Sequence, residues 1–464
     1  MRALLISTYD LGRQPFGLAS PAAWLRREGI DVRLADIAKE RLTPDEIATV
    51  DLVGFHLPMH TATRLAAPVI RSIRAVNATA RVCAYGIYAP LNEQWLRELG
   101  VDDVLGGEYE EELANIARSV RDRDRDRSTF SVLRSASDSA KNEERRTQNG
   151  IPRLHFLVPD RSGLPPLSRY ATLQLGDGTR RTVGYTEASR GCRHLCRHCP
   201  IVPVYDGQFR VVQPDVVLAD IAAQVAAGAR HITFGDPDFF NGPTHAVRIV
   251  EALHAAHPGV SYDVTIKIEH LLRHRVLLQV LRDTGCLFVT SAVESLDDRV
   301  LGLLAKGHTR ADFLTVVELF RSIGMTLVPT FVAFHPWTTL ESYCDLLDVI
   351  EREDLVDHVA SIQLAIRLLI PQGSRMLELD EVRQVAGTFD PNTLTFRWIH
   401  RDPRVDRLHD DVATLVGSRL AAERRRVFDA ISDLAHERAG TLRQRAAAVP
   451  SRATIPYLNE PWYC

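Results

Sequence analysis

From Thr182 onward the chain changes its hydrophobic period again and again on a regular beat. Strand-like runs "TVGYTEAS", "HITF", "SYDVTIK", "LFVTSA", "TLVPTFV" and "VASIQLAI" alternate with helix-like runs such as "PDVVLADIAAQVAAG", "THAVRIVEALHAA", "RVLLQVLRDTG", "RADFLTVVELFRSIG" and "TLESYCDLLDVIERE". Strands separated by amphipathic helices form parallel sheets, because each helix carries the chain back across the sheet before the next strand begins. Six such repeats of about 30 to 40 residues predict a parallel β/α barrel, complete or partial. In that architecture reactive groups belong at the carboxyl ends of the strands.

The same alternation opens the chain. "RALLIS", "IDVRLAD", "DLVGFH", "ARVCAYG" and "VDDVLGG" read as strands, with "LASPAAWLRREG" and "TATRLAAPVIRSIRAV" as helices between them. Residues 1–117 therefore read as a Rossmann-like, doubly wound domain. Residues 118–150 alternate charge and are rich in Ser, Asn and Gln, so they read as a solvated linker unable to offset its ordering entropy. Residues 151–376 hold the barrel, and 377–464 a helical extension with the tail "YLNEPWYC". The fold class is α/β, and 464 residues exceed what one core usually supports.

Charge and hydropathy exclude several classes. The formal net charge is −3 with basic residues dispersed, so no nucleic-acid partner is expected. No run approaches the roughly 18 uninterrupted apolar residues of a membrane span. "MRALLISTYDLG" meets Asp10 too early for a secretion signal and reads as a first strand. A soluble, cytoplasmic protein is expected, and an odd seven cysteines fit a reducing compartment better than a disulfide framework.

Three of the seven cysteines fall within "RGCRHLCRHCP", just after the first barrel strand. Cys192, Cys196 and Cys199 have the spacing C-x3-C-x2-C. Three soft thiolates suit zinc or an iron–sulfur cluster. In a zinc site His194 or His198 would complete a closed Cys3His set, the usual staple of a small domain. A four-iron cluster on three cysteines instead leaves one iron without a protein ligand, and an open coordination position is where substrate chemistry happens.

With its motif and barrel order in agreement, the segment from about 183 to 376 resembles the radical S-adenosylmethionine (SAM) superfamily. The resemblance implies a [4Fe-4S] cluster on Cys192, Cys196 and Cys199. SAM would chelate the fourth iron and be cleaved reductively to methionine and a 5'-deoxyadenosyl radical. It implies an external electron donor such as flavodoxin or ferredoxin, and a small-molecule or peptide substrate. In "FGDPDFFNGP", Gly235 stands at the family's Gly-Gly-Glu-like turn, with Asp236 or Asp238 as acceptors for the SAM ammonium. "KIEH" offers Lys267, Glu269 and His270 at the barrel mouth, as catalytic groups or as a salt-bridged rim. Glu294 and Ser295 of "SAVES" match the family's ribose- or methionine-binding pattern. "LLAKGHT" and the turn "IPQGS" with Gly373 are similar to the subgroup containing methylthiotransferases and cobalamin-dependent enzymes, and Arg367, ending the sixth strand at the mouth, is a further cofactor-binding candidate with Gly373. "FHPWTT" departs from the family's loop and is expected to be a substrate-specific surface.

The N-terminal domain resembles the cobalamin-binding domain fused ahead of such barrels, through "FGLASPAAWLRREGIDVRLADI" and "VDDVLGGEYEEEL". The Asp-x-His-x-x-Gly signature is absent, since "YDLG" lacks the histidine. Relatives that bind cobalamin with no protein ligand to cobalt leave both a cobalamin site and a purely packing domain open. The tail "IPYLNEPWYC" resembles the end of radical SAM proteins closing with Cys-Sec-Ala-Glu-Pro or Cys-Cys-Ala-Glu-Pro. On that resemblance Cys464 is the first residue of a redox or soft-metal pair, followed in the gene by an in-frame UGA; otherwise the tail is ordinary. Cys83, Cys286 and Cys344 lie in apolar patterns and are expected to be buried and structural. The reaction expected is radical modification of an unknown substrate, including cobalamin-dependent methylation. A sulfur- or selenium-inserting methylthiotransferase and a non-catalytic iron–sulfur sensor or metalloid carrier are the alternatives.

Overall fold

The structure, a computed structural model, describes residues 1–128, 153–419, 422–443 and 457–458. Five parallel strands, β1 (Arg2–Ser7), β2 (Asp31–Asp36), β3 (Leu52–His56), β4 (Arg81–Tyr85) and β5 (Asp103–Leu105), form the first sheet in the order β2-β1-β3-β4-β5. Their runs are buried on both faces, as a sheet covered by helices on each side requires. The order reverses at β1, which sends one crossover to β2 and leaves β3 on its other flank.

The second sheet is built on β6 (Thr172–Gln174), β7 (Arg180–Thr186), β10 (His231–Phe234), β11 (Ser261–Thr265), β12 (Cys286–Glu294) and β13 (Thr326–Phe331). Its order is β13-β12-β11-β10-β7-β6-β16, with β16 (Tyr457–Leu458) at the open edge. Strands β7, β10, β11, β12 and β13 run parallel as a half-barrel, whereas β6 is antiparallel to β7 and β16 antiparallel to β6. A small antiparallel pair, β8 (Ser189–Gly191) with β9 (Phe209–Val211), brackets the segment that carries the three cysteines.

Three elements differ from the sequence reading. The expected sixth strand "VASIQLAI" is a 3-10 turn at Ser361–Ala365, and the sixth repeat contributes only the Phe334–Arg367 bridge. The helix Glu110–Ser128 runs through the first part of the segment expected as linker. Three glutamates in its first turn favour the positive end of the helix dipole, and buried Leu113, Ala114 and Ala117 anchor it. The rest of the expected linker, residues 129–150, lies outside the described residues. The extension is not wholly helical: β14 (Ala386–Asp390) and β15 (Thr395–Trp398) form a hairpin ahead of the helices Pro403–Ser418 and Arg424–Ala439. No helix among the described residues is long and apolar enough to cross a membrane.

Candidate active site at the barrel mouth

The cysteine loop leaves β8 and ends in the short helix Val202–Tyr205. Gly191 adopts φ +72°, and a Cβ there would lie 2.3 Å from the Tyr205 ring and 2.5 Å from the Gln208 carbonyl oxygen. Only glycine lets the loop fold back this tightly. Cys192 and Cys196 are buried and Cys199 half-buried. Burial, reinforced by Cys196 and Cys192, pushes the Cys199 thiol up to about 12. Thiols grouped in this way resist losing their protons together, and a bound cation is what converts them to thiolates.

Carboxylates from three successive strand ends face this loop. Asp238, after β10, is fully buried, with its Oδ2 2.7 Å from His270 Nδ1 and 3.4 Å from His194 Nε2. Burial works to raise its pKa, but the two imidazoles outweigh burial and hold the carboxyl at about 2. Glu269, after β11, lies 3.7 Å from His194 Nδ1 and 3.8 Å from Lys267 Nζ, and Arg273 donates to its other oxygen at 2.8 Å. Glu294, at the end of β12, sits 3.1 Å from His198 Nε2 and 3.4 Å from Lys306 Nζ. Burial opposes its ionisation, yet Lys306 and His198 hold it at about 2. Its φ is +71°, in the left-handed region, at a register shift between β12 and β13. Such strain in a non-glycine residue concentrates where side-chain direction matters.

The zinc alternative needs a histidine free to ligate, and both candidates are engaged by carboxylates. His194 lies between Asp238 and Glu269, and His198 faces Glu294. Cys192, His194 and Asp238 do bring ligand atoms within 4.8 Å of one another, so one histidine and one carboxylate lie close to the first cysteine. The arrangement fits a cluster held by three thiolates, with charged groups available around an open fourth position.

The remaining expected residues take varied positions. Gly235 is needed because a Cβ would lie 1.8 Å from the Tyr185 hydroxyl, so the close approach it permits is to β7. Asp236 is committed to the cysteine hairpin: its carboxylate accepts from the Ala188 N–H at 2.9 Å and the Ser189 hydroxyl at 2.5 Å. That leaves Asp238 as the carboxylate of this turn facing the loop histidines. Ser295 is buried and accepts from the Asp297 N–H at 3.2 Å. Arg367 is turned toward the extension, bonded to Asp406 and the Trp398 carbonyl and stacked 3.7 Å over the Trp398 ring. Gly373, at φ +74°, packs against Leu91 of the N-terminal domain. A cleft opening beside Glu294 and Ser295 is lined by His335 and Thr338 of "FHPWTT".

Sequence reasoning missed Lys306 and His308 as site residues, although "LLAKGHT" was the signal for both. Lys306 is almost wholly buried against Glu294. His308 is buried with neither ring nitrogen bonded among the described residues, and burial together with Lys306 and Lys267 lowers it to about 4. Arg190 was missed as well. It is buried beside Glu187 on its own segment and reaches Glu108 and Glu110 of the N-terminal domain at 3.2 and 2.7 Å. Arg190 thus joins the cysteine hairpin to the N-terminal domain two residues before the first cysteine.

A three-cysteine loop at the mouth of a parallel half-barrel, behind a doubly wound domain, defines a radical SAM enzyme architecture. Residues 186–350 match the family described as the Radical SAM superfamily, so the chain carries that catalytic domain, whose cofactors are a [4Fe-4S] cluster and SAM. Among curated proteins it is similar to the tRNA-2-methylthio-N(6)-dimethylallyladenosine synthase of Haemophilus influenzae (strain PittEE), 25% identical over 179 residues. The match covers 36% of this chain and 38% of that protein. The Methylococcus capsulatus enzyme of the same name is 27% identical over 187 residues, covering 38% and 40%. The matched region therefore spans well under half of these relatives. Among solved structures the fold is similar to the cobalamin-dependent SAM radical enzyme OxsB with aqua-cobalamin and SAM bound (TM-score 0.69, 14% identity, 94% of this chain and 72% of that one). It is also similar to the radical SAM methyltransferase TsrM from Kitasatospora setae (TM-score 0.58, 16% identity, 81% and 75%).

Proposed function

We propose that this chain cleaves SAM reductively and uses the resulting 5'-deoxyadenosyl radical to modify a small molecule or peptide. The observation that carries the reading is the three-thiol loop facing Asp238, Glu269 and Glu294 from consecutive strand ends. The cluster, when loaded and reduced, supplies the electron that breaks the sulfonium bond. The protein's own residues do the rest. Cys192, Cys196 and Cys199 would hold the cluster, which has one more iron than they can ligate. Asp238, kept ionised beside His270 and His194, accepts from the SAM ammonium. Glu294, held by Lys306 and His198, fixes the ribose end of SAM relative to the cysteine loop. Lys267 and Glu269 line the mouth as groups able to hold or move a proton. Asp236 fixes the cysteine hairpin, Gly235 permits the close approach to β7, and Arg367 holds the extension through Asp406 and Trp398.

Cobalamin-dependent methylation is the finer version that the names of the two fold neighbours suggest. It requires room in the N-terminal domain for the nucleotide tail of a corrin. A methylthiotransferase reading needs a second cluster. The other described cysteines, Cys83, Cys286 and Cys344, are separate buried core residues whose thiols burial pushes up, which favours the first reading.

Cys464 is proposed as an auxiliary thiol at the same mouth. Cys464 itself lies outside the described residues. Two successive antiparallel pairings make β16 run in the direction of the barrel strands, so Leu458 is the end of β16 nearer their carboxyl ends. Leu458 is level with Leu173 and hence with Arg181, from which β7 extends about 17 Å to Thr186 at about 3.3 Å per residue. The stretch from Leu458 to Cys464 spans up to about 20 Å when extended.

The test is anaerobic reconstitution followed by dithionite, SAM and mass detection of 5'-deoxyadenosine. Product formation supports the enzyme; iron bound without product would favour a sensor or carrier.

A further inference from the structure

Open doubly wound sheets bind ligands in the crevice outside the strand ends where the strand order reverses. Here that crevice lies between β1 and β3, bounded by Gly17 in the helix Phe16–Arg27 that follows β1, and by Gly86 after β4. It contains the side chain of His56, the last residue of β3. A Cβ on Gly17 would lie 2.2 Å from both Cε1 and Nε2 of that ring, and one on Gly86 3.3 Å from its Cδ2. The rings of Tyr85 and Tyr109 close the slot, with centroids 5.6 and 6.2 Å from the imidazole. Tyr85 is itself fixed by donating its hydroxyl proton to the Gly17 carbonyl at 2.9 Å.

This is a slot between two glycines, walled by two tilted tyrosine rings, and its occupant is an aromatic heterocycle. The occupant is poorly served as a core histidine: it is 92% buried, yet Nδ1 has no hydrogen-bond partner among the described residues. Buried polar groups ordinarily have one. Burial, aided by the positive charge of Arg190, lowers its pKa to about 3, so the ring is neutral throughout the physiological range. A neutral, planar nitrogen heterocycle has the chemistry of a nucleotide base.

We propose that His56 occupies the slot that would otherwise take the heterocyclic base of a nucleotide-bearing cofactor. The chain therefore does not admit the benzimidazole tail of cobalamin, and removing the imidazole opens the slot. The contacts that would read the tail are blocked by the protein's own ring, whereas any surface reading the corrin macrocycle alone is untouched. Wild-type protein should then treat cobalamin and cobinamide, the analogue without the nucleotide tail, alike.

The experiment titrates the full chain with hydroxocobalamin and with diaquacobinamide, following retention on gel filtration and the visible spectrum. Neither cluster nor SAM is needed, so failure here is separate from failure of the SAM-cleaving function. Wild type is expected to bind the two within about threefold of each other or to retain neither, and His56→Gly to favour hydroxocobalamin by about tenfold or more. A wild-type preference for hydroxocobalamin of about tenfold overturns the proposal. So does a His56→Gly or His56→Ser protein that melts cooperatively yet gains no preference. If neither variant folds, the wild-type ratio decides alone.

Discussion

Glu294 Oε1 lies 3.1 Å from His198 Nε2, joining the strained end of β12 to the middle of the cysteine loop. The partners are 96 residues apart in sequence. Lys306 approaches the same carboxylate oxygen from the following turn, so a single buried anion ties together the loop, the barrel and the "AKGHT" segment. If this anion positions SAM, Glu294→Gln keeps the cluster but loses SAM. Charge-assisted hydrogen bonds contribute about 1.5–3 kcal/mol, which corresponds to roughly a ten- to hundredfold weaker SAM affinity. Iron content unchanged within error, with a raised KM for SAM, is the expected pair of results.

Among the described residues, Arg190 is the one cation paired with Glu108, Glu110 and Glu187. Arg190→Met leaves those carboxylates buried without it, and breaking a buried ion pair costs about 3–5 kcal/mol. Lower thermal stability and reduced iron incorporation are expected together. Arg190→Lys should not rescue them, because one ammonium cannot reproduce the planar fork of a guanidinium. The two yields are read by calorimetry and iron analysis.

Glu108 provides a pH test. Burial raises its pKa to about 7, against the pull of Arg190. A carboxyl whose folded pKa lies above its unfolded value favours the folded state when protonated. That contribution is fully present below about 4.5 and is lost as pH rises through about 7. Glu108→Gln, which keeps the shape without the charge, should therefore melt several degrees above wild type at pH 8 and show a smaller advantage at pH 5. Thermal melts at the two pH values check the sign.

Asp236 fixes the cysteine hairpin through the Ala188 N–H and the Ser189 hydroxyl. Asp236→Ala removes both acceptors and leaves two buried donors unsatisfied, at about 1–3 kcal/mol each. Cluster loading should fall while SAM affinity of the loaded fraction stays near wild type. That split, read by iron content and a SAM titration, distinguishes a positioning residue from a SAM ligand.

Both parallel sheets were legible because buried strands and amphipathic helices have different periods, and the cysteine triad because its spacing is local. The β14–β15 hairpin was missed although "DPNT" marks its turn, where the Asn392 N–H bonds the Asp390 carboxylate at 2.9 Å. β6 was missed as a three-residue strand ahead of the Asp177-Gly178 turn. The expected sixth strand carries a strand-like pattern, but its residues pack as a 3-10 turn against the helix Pro403–Ser418, which no local window reveals. The pairings of Glu294 with His198 and of Arg190 with Glu108 join positions 96 and 82 residues apart, and spacing alone cannot match such partners. Arg367 read as a mouth residue because it follows the last barrel repeat; its stacking on Trp398 emerges only once the extension has folded back.

The most direct test of the central claim is Mössbauer spectroscopy of the anaerobically reconstituted, iron-57-labelled protein with and without SAM. A four-iron cluster in which one iron alone changes its environment when SAM is added is the expected result. A colourless zinc protein, or a cluster whose irons are all indifferent to SAM, would contradict it.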